Sequence, residues 1–119
     1  MKELKGNPIQ DLSIQFATEL MALVKELRSL NEYEIASQIL RSGTSIGANV
    51  FESQNSESRR DFYHKIKLAA KEAGETGFWL SLVRNSIDVS IELEKLEDLL
   101  NQIQKILSQI LFTTRRKMQ

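Results

Sequence analysis

Cysteine is absent from the 119 residues. That excludes a disulfide framework, a thiolate zinc site and a cysteine nucleophile. Proline occurs once and glycine five times, too few turn formers for an all-β chain. Histidine occurs once, at His64. A di-iron bundle needs Glu-x-x-His pairs on two helices, and a single His cannot supply them. No apolar run approaches the roughly 18 residues of a membrane span. The opening Met1-Lys2-Glu3-Leu4-Lys5-Gly6 has no apolar signal-peptide core behind it, so the expected setting is the cytoplasm, without membrane contact. There is also no excess of charge: 16 basic residues face 16 acidic ones, which gives no global attraction to nucleic acid. A phosphate-binding glycine loop is missing. Gly43 and Gly47 have the wrong spacing, with no following Lys and no strand before them. No serine elbow is present either. These absences point to a protein that is not an enzyme and takes no cofactor or metal.

What is present is helical periodicity over the whole chain. The length suits one domain, residues 1–119. Four amphipathic helices are expected, roughly 8–30, 32–53, 57–86 and 88–112, followed by a polar tail, 113–119, that should fray. The first begins after Asn7-Pro8, a good N-cap and first-position pair. Its stripe is Ile9, Leu12, Phe16, Leu20, Leu23, Leu27 and Leu30. Asn31 reads as the cap of the second helix, with Glu34 in capping-box position. Ile35, Ile39, Ile46 and Val50 stay in phase across the weak helix formers Ser42 to Ser45. The third helix opens near Ser56 or Glu57 and carries Phe62, Ile66, Ala69 or Ala70, Ala73, Gly77, Leu80, Val83 and Ile87. The fourth shows a heptad-like seam, Val89, Leu93, Leu96, Leu100, Ile103, Leu107 and Ile110. Short breaks between helices imply an all-α, antiparallel up-down-up-down four-helix bundle. The second and third helices both have small residues at their centres, Gly43 and Gly47 on one and Ala69, Ala70, Ala73, Gly74 and Gly77 on the other. Either the two pack closely there or the glycines mark a kink. Apolar surface beyond one face, Phe78, Trp79 and Leu82 on the third helix and Leu99, Ile106 and Leu111 on the fourth, suggests self-association.

A polar stripe stands out. Arg41, Ser45, Asn49 and Glu52 follow one another along the second helix, and Glu72 and Glu75 lie near the centre of the third. In an antiparallel pair, Arg41 should stand level with residues 69–73 and can pair with Glu72 or Glu75. Two readings are open: an ion pair that sets helix register, or a polar site in a crevice that could serve a small ligand. His64, near the start of the third helix, is read as a surface residue, with a pH switch or ligand role as the alternative.

The neutral total conceals local imbalance. Residues 55–71 carry Arg59, Arg60, Lys65, Lys67 and Lys71 against Glu57 and Asp61, net +3. Residues 88–112 are net −3, and the tail, with Arg115, Arg116 and Lys117, is net +3. These two basic segments are the candidate nucleic-acid-binding residues; the bland alternative is a solvated face.

The residues from Arg41 to Leu82 resemble a known family. Arg41, Ser45, Ile46, Asn49, Val50 and Glu52 carry the likeness on the second helix, and Ser58, Asp61, Phe62 and Lys65 open the third. The run Ala70-Lys71-Glu72-Ala73, then Glu75-Thr76 and Trp79-Leu80, is its most specific part. Ser53 departs from the pattern, since many relatives have Gly after the Glu. The family is that of bacterial four-helix bundle proteins related to those encoded in intervening sequences of large-subunit ribosomal RNA genes. The resemblance implies a bundle with left-handed twist, assembled as a homopentamer, and no catalytic residues. The family is similar to the accessory protein of diversity-generating retroelements, a basic pentameric barrel that binds a reverse transcriptase and nucleic acid; this chain, with a pI of about 6.6, is not basic. The expected function is a homo-oligomeric interaction module whose partner is itself and a protein or ribonucleoprotein. The alternative is a nucleic-acid-binding accessory factor working with RNA, DNA or a reverse transcriptase.

Overall fold

The computed structural model describes residues 7–119; the opening Met1 to Gly6, read above for a signal sequence, lies outside the described residues. Four helices are present: α1 (Pro8–Ser29), α2 (Tyr33–Ser53), α3 (Arg59–Ser86) and α4 (Leu93–Met118). They form an all-α four-helix bundle in which each helix packs on its two neighbours, α1 on α2, α2 on α3, α3 on α4 and α4 back on α1. The helices face inward with the residues that the periodicity picks out. Phe16, Leu20, Leu23 and Leu27 from α1, Ile39, Ile46 and Val50 from α2, Ile66, Ala69, Ala73, Leu80 and Val83 from α3, and Leu96, Ile103 and Leu107 from α4 are all buried. Apolar burial on this repeat is what holds such a bundle together.

The helix ends are set by local hydrogen bonding, and here the structure corrects the periodicity. Asn7 caps α1 through its side chain, which accepts from the Gln10 amide at 3.3 Å, with Pro8 at the first helical position. Asn31 does not cap α2. It takes a left-handed backbone conformation, φ 65°, which Asn tolerates better than most residues. It thereby closes α1 instead: the Asn31 amide donates to Arg28 O at 3.0 Å and the Glu32 amide to Leu27 O at 2.8 Å, a Schellman motif. The capping box expected from Glu34 is therefore absent, and Glu32 occupies the cap without a side-chain bond. At α3 the cap is Ser58 rather than Ser56 or Glu57. Its hydroxyl accepts from the Asp61 amide at 3.0 Å, and Asp61 in turn accepts from the Glu57 amide at 3.2 Å, a reciprocal arrangement that fixes where the helix starts.

The largest correction concerns α4. It begins at Leu93, not near Asp88, so Val89 does not belong to its seam. Ile87, Val89 and Ile91 are half-buried against the core while Asp88, Ser90 and Glu92 are exposed. That alternation is the period of extended chain, not of a helix. The segment is held to α1 by the Glu26 carboxylate, which accepts from the Ser90 amide at 2.5 Å, the Ser90 hydroxyl at 3.0 Å and the Ile91 amide at 3.0 Å. Those amides would otherwise be the free donors that precede a helix. The bonds, led by that from the Ser90 amide, hold the Glu26 carboxyl below the usual carboxylate range against a partial desolvation that works the other way. At its far end α4 does not fray at residue 113; it continues through Met118, with Thr114 buried. Arg59 of α3 donates to the Lys117 carbonyl at 3.2 Å, so a tertiary contact receives one of the last orphan carbonyls.

The small residues pack in a different arrangement from the one expected. A Cβ placed on Gly43 would lie 2.1 Å from Leu20 Cδ2, and one on Gly47 would lie 3.2 Å from Ser13 Cβ. Both glycines of α2 therefore admit α1, not α3. Gly77 faces Leu100 of α4, and a Cβ on Gly74 would meet nothing within 4 Å. The close approach of α2 and α3 rests instead on buried Ser42 and Thr76, whose hydroxyls meet at 3.0 Å, with Ala69 and Ala73 on the buried side of α3.

Two outcomes follow from this packing. Gly43→Ala crowds fully buried Leu20, so denaturant unfolding should show a loss of about 1–3 kcal/mol. Gly74→Ala meets only solvent and should gain about 1 kcal/mol from helix propensity. For Glu26, a depressed folded pKa means that its stabilisation is present above the ordinary carboxylate range and is lost as pH falls through the lowered value. Glu26→Gln should thus melt below the parent at neutral pH. The gap should close on acidification, and thermal melts showing a constant gap would contradict the latch.

Candidate functional site

The most connected polar feature lies on the α2–α3 face. Arg41 leaves α2 about two turns from its start and reaches two carboxylates on α3. Its Nη1 donates to Glu72 Oε1 at 3.2 Å and its Nη2 to Glu75 Oε2. Glu75 also accepts from Trp79 Nε1 at 3.1 Å, an i to i+4 contact that orients the indole. Gln38 adds a long contact to Arg41 Nε, 3.5 Å. The hydrogen bond from Arg41 is the main cause, and that from Trp79 the second, of a Glu75 pKa held below the usual carboxylate range. Arg41 is correspondingly held protonated, chiefly by its bond to Glu75. Both groups keep their charge across neutral pH, which suits a structural pair and does not suit proton transfer, where a pKa near the working pH is needed.

The six polar residues picked out along the stripe are not brought together. Ser45 donates to the Arg41 carbonyl at 2.7 Å and Asn49 to the Ser45 carbonyl at 2.9 Å. Both therefore satisfy their own helix rather than face a shared crevice. Glu52 pairs with Lys65 of α3 at 3.1 Å, about 16 Å along α2 from Arg41 at 1.5 Å per residue. Only Arg41, Glu72 and Glu75 form one cluster, and Trp79 joins them. The signal for Trp79 was its spacing four residues after Glu75; its apolar bulk concealed the indole donor. Beside the cluster Tyr33, Ile35, Gln38 and Trp79 line a shallow open groove.

The basic residues are distributed otherwise. Arg59 contacts the Lys117 carbonyl, and Lys65 is paired with Glu52. Arg60, His64, Lys67 and Lys71 are all exposed on α3. Because α4 stays helical to Met118, Arg115, Arg116 and Lys117 are carried to the start of α3 instead of trailing into solvent, and the Arg116 guanidinium lies 5.7 Å from the Phe112 ring. Two basic segments far apart in sequence thus meet at one end of the bundle. The opposite end holds Arg84 of α3 against Glu97 of α4, with bonds of 2.9 and 2.5 Å. Among the described residues no group of three or more His, Asp or Glu side chains is arranged to hold a metal ion, and no helix is long and apolar enough to cross a membrane.

Comparison with known proteins agrees with this architecture. A family model described as 23S rRNA-intervening sequence protein matches residues 5–109. The crystal structure of a protein of unknown function from the S23 ribosomal protein family of Bacteroides thetaiotaomicron VPI-5482 is similar, with 39% sequence identity and a TM-score of 0.81. The match covers 87% of this chain and 97% of that one. No curated protein matches the sequence.

If the Arg41 cluster sets helix register, Arg41→Ala leaves Glu72 and Glu75 as neighbouring like charges without a cation. The variant should melt below the parent at neutral pH. The difference should narrow as pH falls through the depressed Glu75 value, because the stabilisation of a lowered carboxylate is lost on protonation. The emission of the single Trp, Trp79, should shift in the same variant. A melt and a spectrum identical to the parent would contradict the pairing.

Proposed function

Because this chain belongs to the 23S rRNA-intervening sequence protein family, we propose that it works as a non-enzymatic, homo-oligomeric interaction module, with five copies as the working assembly. The cytoplasm is its proposed setting. One observation carries the reading: the outward face of α1 is almost free of charge. Between Asp11 and Lys25 the only charged residue is Glu19, and it is paired with Lys95 of α4 at 3.3 Å. On the same stretch Ile14 and Met21, seven residues apart and therefore on one face, are 44% and 42% exposed, with Gln15, Thr18 and Ala22 exposed beside them. Depletion of charge is the compositional mark of an interface core, more than hydrophobicity alone. A solvated surface helix normally carries charged residues there.

A pentamer requires a heterologous contact, in which this face meets a different surface of the next copy. The family likeness of the α2–α3 motif supports the number five, and the uncharged α1 face supplies a surface to bury. The absence of a group poised for proton transfer in the Arg41 cluster supports a binding role over a catalytic one.

The test is the mass in solution, read by light scattering on the chromatographed protein. The parent should run at five times the 13.6 kDa chain mass. Placing charge at the centre of the face with Met21→Lys, or with Ile14→Lys and Met21→Lys together, should shift the mass to that of the single chain while leaving the helical circular dichroism unchanged. A parent that is monomeric at high concentration, or a double variant of unaltered mass, would refute the reading.

A further inference from the structure

We propose that the outward face of α3 binds single-stranded nucleic acid, with Arg60, Lys67 and Lys71 on successive phosphates and Phe78 stacked on a base. This goes beyond the oligomeric role and rests on a different face of the molecule.

Arg60, His64, Lys67, Lys71, Gly74 and Phe78 follow one another at steps of four, three, four, three and four. On a helix that spacing makes one straight stripe, and every member of it is exposed. From Arg60 to Phe78 it runs about 27 Å at the helical rise. No acidic residue interrupts it. The reason is that the three carboxylates of α3 are all engaged elsewhere. Asp61 accepts from the Glu57 amide at the cap, while Glu72 and Glu75 are turned to Arg41 on the α2 side. The three cations, by contrast, make no ion pair with any described residue; Lys65 and Arg59, off the stripe, are the α3 cations with partners at its N-terminal half. Lys71 contributes only a through-space influence on Glu75, without contact. Unpaired cations in a row are an electrostatic track for a phosphate backbone.

The far end of the stripe adds a second kind of contact. Phe78 is 60% exposed, and its ring stands edge to face with Trp79, centroids 5.1 Å apart. That exposure leaves ring surface open to a stacking base. Gly74, one turn before it, has no side chain and no neighbour within 4 Å of where a Cβ would stand. Between Lys71 and Phe78 there is therefore an open step, over which a flat base can lie against the ring while its phosphate stays near Lys71. Cations tracking a backbone and an aromatic ring receiving a base are the two components of sequence-tolerant single-strand binding. At the other end, the Arg59 contact to the Lys117 carbonyl brings the basic end of α4 to the start of α3.

A second copy of the chain is the competing occupant of this face. The charge pattern disfavours the α1 face of that copy, which has no free carboxylate between Asp11 and Lys25 to receive three cations, since Glu19 is already paired.

The test is fluorescence anisotropy of the full chain with labelled oligouridylate and, in a parallel arm, labelled oligothymidylate. Binding should be measurable at low salt and should weaken with salt at a slope of about −2 in log–log form, as expected for three phosphate contacts. Lys67→Glu with Lys71→Glu should lower affinity at least tenfold and flatten that slope. Phe78→Ala should weaken binding about tenfold with the slope retained, because a stacking contact releases no counterion. Lys25→Glu with Lys105→Glu, the same charge change on other faces, should have less than a third of the effect. Equal affinity for the two oligomers assigns the site to the shared phosphate and base chemistry, and a preference for oligouridylate assigns it to RNA. The proposal is overturned by no binding at low salt or by equal loss in the two charge-reversed pairs. It is equally overturned if the α3 variants change the mass in solution while leaving affinity intact, which would make the stripe an interface between copies.

Discussion

The register between α2 and α3 is the constraint from which the rest of the molecule takes its arrangement. It is fixed at two points on adjacent residues. Inside, the Ser42 and Thr76 hydroxyls meet at 3.0 Å in a fully buried layer. Outside, Arg41 spans Glu72 and Glu75. A slip of one residue would break the interhelical Ser42–Thr76 contact, leaving each hydroxyl only the carbonyl one turn back on its own helix, and would separate the cation from both carboxylates. The exposed ion pairs contribute little stability by themselves. Their importance is directional, because they decide which way the charges of α3 point.

That direction organises the surface. With its carboxylates drawn to the α2 side and to the N-terminal cap, the stripe of α3 from Arg60 to Phe78 presents cations, a histidine, a glycine and a phenylalanine to solvent. On α1 the lone mid-helix charge is likewise drawn to α4. The molecule therefore carries one face depleted of charge and one charged with a single sign, although its total is zero. A net-charge argument cannot detect this, since screening makes the field at a surface a matter of neighbours within about 10 Å rather than of the whole chain.

Much of the fold was legible in the sequence because it depends on periodicity. Phe16, Leu20, Leu23 and Leu27, or Leu96, Ile103 and Leu107, announce a buried helical face whatever lies opposite. The ends were harder to read, since a helix terminus is decided by which group takes its free amides and carbonyls. Asn31 was equally suited to capping α2 and to closing α1 in a left-handed turn; the turn won because it satisfies two α1 carbonyls. Val89 could be counted into a heptad seam, yet the Glu26 carboxylate, more than 60 residues away in sequence, bonds Ser90 and Ile91 and holds its segment extended. In the polar stripe, Arg41, Glu72 and Glu75 were legible from antiparallel geometry alone. Ser45 and Asn49 dropped out because each found a carbonyl one turn back on its own helix.

By itself the sequence determined the fold class, the composition of the core and the partners of Arg41, because those follow from spacing along a helix and from matching distances across a short loop. The tertiary structure decided where the glycines lead, how far α4 runs and how the charges are sorted. Gly43 admits Leu20 of α1 rather than α3, and α4 runs on through Met118, with Thr114 buried and the Lys117 carbonyl accepting from Arg59. The physical reason is common to these cases. A free methyl-sized space, an unpaired carbonyl or an uncommitted carboxylate takes whichever partner the packed helices bring within about 3 Å, and that partner can lie anywhere along the chain.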